Sequence, residues 1–312
     1  MTIHSTRRHL LGTLGAGGLA LGAAACGGSD PFEEEGAAGA SDAGGGSAGI
    51  VIGSQAYYSN EIIAELFAQV LEAEGYTVER QYQIGQREVY IPELESGALS
   101  LLPDYLGNLL QHYDPDAESA SPEEIHAALG EALPEGLRVL DFAAASDQDS
   151  YTTTSDFAAE HSLTTIGDLA GVEEDLTIAA NSEFEVRPYG PEGAKEIYGV
   201  DVSVVPVEDS GGPLTVQALL DGDVQLADIY TADPAIAEND LVVLEDPESM
   251  ILPQNVVPVV TDAIDEGAEA AIGTVLSALS ADDLVELNRR SVVDQASSAD
   301  IASDWLSEKG LV

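Results

Sequence analysis

Positive charge is scarce in this chain. Ten lysines and arginines stand against 57 aspartates and glutamates, a formal net charge of −47. So acidic a surface has no means of neutralising phosphates, which excludes nucleic-acid binding, and anionic lipid repels it. Such self-repulsion loosens a compact fold at low ionic strength, whereas molar salt shortens the screening length to ~3 Å. Solubility alone asks for a charge of roughly 2 to 8 in magnitude. The excess therefore points to a halophilic or haloalkaliphilic source.

Cysteine is nearly absent too. Cys26 stands alone, so no intramolecular disulfide is available and the core must supply the stability. The five histidines, His4, His9, His112, His126 and His161, are scattered, and no pair has metal-ligand spacing. No metal and no cofactor is expected. Gly44 to Gly46 lie in a low-complexity stretch, and Ser210-Gly211-Gly212-Pro213 reads as a turn before a helix rather than a nucleotide loop. No catalytic residues stand out, and the chain is not expected to be an enzyme. Carboxylates are so abundant that composition alone leaves a two-carboxylate glycosidase open.

Long apolar runs are also missing. The stretch Leu10 to Ala25 is rich in Gly and Ala and falls short of the ~20 residues a membrane-spanning helix needs. Arg7 and Arg8 precede it and Cys26 follows. Residues 1–25 thus read as a twin-arginine-like export signal cut before a lipidated cysteine, with an ordinary signal peptide and an incidental cysteine as the alternative. Residues 26–49, mostly Gly, Ala, Ser and a short acidic run, read as a flexible tether. Loss of Arg7 and Arg8 with the signal moves the charge from −47 to −49. The chain is thus expected outside the cytoplasm, held to the outer face of the cytoplasmic membrane by its lipid anchor.

About 260 residues remain for folding. Gly49 to Ser54 has a buried-strand pattern, and Ile62, Ile63, Leu66, Phe67, Val70 and Leu71 recur at helical spacing before Gly75. Strands near 76–82 and 99–102 and a helix near 88–96 follow, and Ser121-Pro122-Glu123-Glu124 is a capping box opening a helix to about Leu133. A second alternating set runs from Tyr151: strands near 176–180, 202–205, 226–230 and 242–244, with helices near 193–198 and 214–220. A strand near 256–260 and helices near 266–279, 282–289 and 299–311 close the chain. Alternation of this kind predicts an α/β fold with mostly parallel sheets flanked by helices. Two lobes are the economical arrangement: residues 50–150 and 253–312 in lobe I, 151–252 in lobe II, with two hinge crossings. A hinged cleft suits a small ligand.

Several stretches carry a family resemblance: Ile52-Gly53-Ser54-Gln55, Gly85-Gln86-Arg87-Glu88-Val89, Pro103-Asp104-Tyr105-Leu106-Gly107-Asn108, Glu183-Phe184-Glu185-Val186-Arg187, and Ala227-Asp228-Ile229-Tyr230-Thr231-Ala232-Asp233. In order and spacing the chain resembles the substrate-binding proteins of ABC transporters for glycine betaine, choline, carnitine and related osmoprotectants. The resemblance implies a two-lobed, periplasmic-binding-protein-like fold of type II. It also implies a quaternary ammonium ligand, permease subunits as partners, and a monomer.

Such a ligand has no N–H to donate and only diffuse charge, so it is best met by the negative faces of aromatic rings. Tyrosine suits a cleft that is apolar inside and wet at its edge, and eleven of the aromatic residues are tyrosines. By the resemblance, the cage falls on Tyr105, Tyr151 and Tyr230. A fourth position, often tyrosine, is Gln254 here, which leaves that side open or filled by Tyr57 or Tyr58. Arg187 falls where the family clamps the ligand's acid end, which suits a planar guanidinium. Gln55 and Asn108 are amides where the family often has a cation and a small acceptor, which weakens glycine betaine relative to choline. The bland alternative for each tyrosine is packing, and for Arg187 a salt bridge. Other readings are a binding protein for another compact solute, such as an amino acid or a cyclic osmolyte like ectoine, and more remotely a surface lipoprotein hydrolase.

The charge makes a prediction of its own. The thermal unfolding midpoint of the purified chain should climb steadily as sodium chloride is raised from 0.1 M to molar levels. Sucrose at matched osmolality should not reproduce the rise. A midpoint that ignores salt would remove the halophilic reading.

Overall fold

A computed structural model describes residues 49–118 and 120–312. The export-signal, Cys26 and tether expectations lie outside the described residues. The chain opens with strand β1 (Ile50–Gly53) and helix α1 (Tyr58–Ala73). The apolar positions of α1 are buried as their spacing predicts, but it is wrapped nearly all round: Ser59, Asn60 and Glu65 are buried as well. Its end is set by Gly75, at φ +91°. The Gly75 amide bonds to Glu72 O at 3.0 Å and the Tyr76 amide to Leu71 O at 3.0 Å, closing the last turn back on itself.

Then come β2 (Val78–Gln81), α2 (Arg87–Glu95), β3 (Leu101–Tyr105), α3 (Leu106–Tyr113), α4 (Pro122–Ala132) and β4 (Leu137–Val139). The Ser121 and Glu124 side chains cap α4 reciprocally. After β4 the chain crosses into a second set of strands: β5 (Thr152–Thr154), β6 (Leu176–Ala180), β7 (Val202–Pro206), β8 (Leu226–Ala227) and β9 (Leu241–Val243). It then returns to β10 (Val256–Thr261) and ends in helices Glu266–Ala278, Ala281–Val292 and Ser298–Lys309.

Two five-stranded sheets result, ordered β2-β1-β3-β10-β4 and β7-β6-β8-β5-β9. β1 is parallel to β2 and β3, while β10 is antiparallel to β3 and β4. In the second sheet β6 is parallel to β7 and β8, and β5 is antiparallel to β8 and β9. Each sheet therefore has one reversed strand, and in each it is the strand entered directly from a crossing. With their helices the sheets form a two-lobed α/β fold.

The first lobe has a large core on one face of its sheet, where α1 packs against the C-terminal helices. Trp305, the only tryptophan, is buried there; its indole donates to Asp283 at 3.1 Å, and Lys309 lies 5.5 Å from the ring centre. The opposite face is covered by Tyr90, Leu94, Leu106, Leu109 and Leu129.

The sequence reading departs from the structure in places. β4, Leu137-Arg138-Val139, is too short to establish a strand period, β5 is three threonines with none, and the strand expected over 226–230 stops at Ala227. The expected helix near 193–198 is a π-helical turn over Ala194–Tyr198.

Segment 146–150 carries the outward crossing and is stitched on both sides. The Gln148 amide donates to Thr231 Oγ1 at 2.9 Å and the Thr231 amide to Gln148 O at 2.9 Å. On the other side the Gln148 side chain donates to Ile251 O at 3.1 Å, and the Asp147 amide to Gln254 O at 3.2 Å. α3 presses on the returning strand through Gly107, whose amide donates to Pro253 O at 2.9 Å.

A methyl group on Gly107 would lie 2.4 Å from Leu252 Cβ and 2.9 Å from Pro253 O. Gly107→Ala should therefore force the helix and the crossing apart and lower stability by about 1–3 kcal/mol, read by urea denaturation. An unchanged midpoint would mean that this contact yields freely.

Candidate ligand-binding site

Three stretches of lobe I converge at the crossings. Asn60 fixes the β1–α1 loop: its Oδ1 accepts the Gln55 amide at 2.9 Å and its Nδ2 donates to Pro103 O at 2.8 Å. That bond ties the loop carrying Gln55 and Tyr57 to the end of β3, which carries Tyr105. Beneath them lies Asp104, fully buried. It accepts Arg87 Nη2 at 2.5 Å, the Tyr90 hydroxyl at 2.5 Å and the Tyr105 amide at 2.7 Å, with Gln55 Nε2 at 3.4 Å.

Lobe II adds Phe184, Arg187 and Tyr189 from the turn after β6, and Asp228 and Tyr230 from the end of β8. The ladder stops at Ala227 because the chain must then turn toward the cavity: Asp228 accepts the Ser150 amide at 3.0 Å and the Ile229 carbonyl accepts Ser150 Oγ at 2.5 Å. The cleft holds about 460 Å³ not occupied by atoms, part of it open to solvent.

Tyr57 is the centre of the ring cluster. Its ring lies 5.2 Å from Tyr230 in an edge-to-face arrangement and 6.4 Å from Tyr105, and its hydroxyl bonds to that of Tyr105. Phe184 and Tyr189, 5.8 Å apart, line the cavity from lobe II. Four carboxylates share the lining: Asp147, Asp149, Glu183 and Asp228. Burial pushes the Asp147 carboxyl up to about 7, and the charges of Asp233 and Asp149 add to the effect. Burial likewise raises Asp228 well above the ordinary carboxylate range, helped by Asp149. Burial, then Asp149 and Asp228, keep Tyr230 a protonated phenol.

Of the residues singled out from the sequence, Gln55, Tyr57, Tyr105, Asn108, Arg187 and Tyr230 line this cavity. Tyr151 does not. It is fully buried behind the wall, 5.9 Å from Phe184, and its hydroxyl donates to Tyr189 O at 2.9 Å. The ring in the cavity is Tyr189, which the sequence reading missed, and Tyr151 supports it. Gln254 is also a support rather than a lining group. Its Nε2 donates to Asn108 Oδ1 at 2.7 Å and its Oε1 accepts the Asn108 amide at 3.1 Å, which aims Asn108 Nδ2 at Asp149 Oδ2, 2.7 Å away. Tyr58 points elsewhere, donating to Asp233 at 2.5 Å. Arg187 donates to both carboxylate oxygens of Glu88, at 2.8 and 3.4 Å. Arg87, Glu183 and Asp228 lie in stretches that carry the family resemblance but were not singled out, and Asp147 and Asp149 are marked only by their placement.

The chain matches, over residues 48–308, the family described as OpuAC, the substrate binding domain of ABC-type glycine betaine transport systems. It belongs to that family. The glycine betaine-binding protein YehZ of Escherichia coli (strain K12) is 22% identical over 276 residues, covering 84% of this chain and 90% of that protein. A crystal structure of a glycine betaine/carnitine/choline ABC transporter protein superposes with a TM-score of 0.69 at 21% identity, covering 84% of this chain and 99% of the other. An ABC-transporter choline binding protein in complex with choline gives 0.59 at 14% identity, covering 84% and 88%. These likenesses in three dimensions establish the fold. The family is one of extracytoplasmic solute-binding components. Among the described residues no helix is long and apolar enough to cross a membrane.

The raised carboxyl of Asp147 sets a pH dependence. Its value moves from 3.8 to about 7 on folding, so the folded chain holds the extra proton between those limits. The ligand-free fold therefore loses stability as pH rises through that window and loses no more above it. Asp147→Asn should raise the thermal midpoint at pH 8, an effect worth roughly a few kcal/mol, and leave it nearly unchanged at pH 4. The opposite order would show Asp147 ionised at little cost.

Proposed function

We propose that this protein captures a quaternary ammonium osmoprotectant (choline, glycine betaine or carnitine) outside the cytoplasm and delivers it to the permease of an ABC importer. One observation carries the reading: phenol rings from both lobes, Tyr57 and Tyr105 on one side and Tyr189 and Tyr230 on the other, surround a cavity lined by four acidic side chains. Ring faces attract a methylated cation by about 0.5 to 2 kcal/mol each, and the cation favours ionisation of the raised carboxyls, whose charge then adds attraction without needing an N–H. Family membership supports the same class, and the relatives' names include glycine betaine and choline.

In this reading the protein is a binding component with no catalytic step. The lobes close about segment 146–150 and the two stretches bonded to it, with the crossings near Ser150 and Leu252. Tyr57, Tyr105 and Tyr230 hold the head, Tyr189 completes the box in place of Tyr151, and Gln55 and Asn108 meet the polar end. Export by the twin-arginine signal and a lipid on Cys26 would keep the protein beside its permease, and the net charge of −47 suits a salt-rich exterior. The apolar leader and the single cysteine after it support the anchor.

Isothermal titration calorimetry with choline, glycine betaine and carnitine tests the reading. At least one should bind, and Tyr105→Ala and Tyr230→Ala should each weaken it by about tenfold or more while circular dichroism stays unchanged. Response only to primary amines would transfer the cavity to another solute class, and silence toward every solute would end the proposal.

A further inference from the structure

The cavity has two guanidinium groups in its wall, and each is already matched by a carboxylate of the chain itself. Arg87 is buried and held by Asp104, so it is a structural group of the floor. Arg187 differs. Its partner Glu88 is on α2 of the other lobe, is about half exposed, and does not line the cavity. Burial opposes ionisation of Glu88, but the hydrogen bond and charge of Arg187, together with a backbone hydrogen bond and His112, hold the carboxyl below its usual value. Glu88 is therefore an anion outside the cavity that already pairs with Arg187, the guanidinium in its wall that a ligand carboxylate would need.

We propose that Glu88 sets the ligand specificity of this cavity: by occupying Arg187 across the cleft it leaves the site open to a quaternary ammonium alcohol and closed to a quaternary ammonium carboxylate. The inference rests on the quaternary ammonium reading above. A free carboxylate must displace a tethered one, whose effective concentration is of order millimolar or higher when the lobes are together. It must also enter past Asp147, Asp149, Glu183 and Asp228, with both guanidiniums neutralised. A hydroxyl meets neither obstacle. It can donate to a carboxylate such as Asp149, which Asn108 already orients, or bond to the amides of Gln55 and Asn108.

Choline and glycine betaine share a trimethylammonium head and differ at the other end, which makes their ratio of dissociation constants the measurement. Titration calorimetry at pH 8 should find wild-type protein binding betaine at least about tenfold more weakly than choline. In Glu88→Gln that ratio should fall about tenfold, because Arg187 becomes free to pair with the ligand carboxylate. Any general effect of losing an interlobe bond cancels in the ratio. The double variant Glu88→Gln, Arg187→Met should lose the gain. Equal binding of both ligands by wild type, or an unchanged ratio in Glu88→Gln, overturns the role of Glu88 and leaves the quaternary ammonium reading intact. Binding of neither ligand by wild type overturns both.

Discussion

The lobe I side of the cavity depends on one buried carboxylate. Asp104 is out of contact with water, where a carboxylate is stable only with several donors around it. Arg87 from α2, Tyr90 one turn later, the Tyr105 amide and Gln55 from the first loop all turn toward it. In satisfying Asp104 the chain brings three separate stretches to one point, with Tyr105 and Gln55 left facing the cleft. Removing either partner of such a buried pair typically costs 3–5 kcal/mol, since the other charge is then stranded. The ligand wall on this side is thus a by-product of neutralising the group beneath it.

The same economy of cations runs through the molecule. Only eight basic residues lie beyond the leader, and two of them stand at the cavity with a carboxylate each. Elsewhere a chain so rich in acid would scatter its negative charge over the surface. Here four carboxylates face inward together with protonated phenols, and burial raises Asp147 and Asp228 as a result. A bound cation would relieve that cost, so ligand and fold share one electrostatic problem.

Much of the fold was legible because its longer elements have strong periodicity: α1, the capped α4 and the apolar strands β1, β6 and β10 are where the pattern puts them. What escaped notice has a physical reason. β5 is three threonines, whose hydroxyls serve polar partners: Thr153 donates to Gln225 O at 2.8 Å. Nothing in such a segment alternates. At the site, Tyr105 and Tyr230 came to hand through local motifs, whereas Tyr189, Asp147 and Asp149 lie in none of those stretches and join them only by tertiary placement. Tyr151 illustrates the limit well. Its ring belongs to the right neighbourhood, but it packs behind Phe184 while its hydroxyl steadies the backbone of Tyr189.

Trp305 brings one further consequence. As the only indole, it sits in the helical cover of lobe I, bonded to Asp283 and outside the cavity lining, while the rings of the cleft are four phenols and the phenyl group of Phe184. Excitation near 295 nm selects indole over tyrosine, so emission from this molecule serves as a gauge of whether the C-terminal helices are docked. The phenols absorb and emit at shorter wavelength. Indole emission therefore follows the docking of these helices apart from any change in the tyrosines.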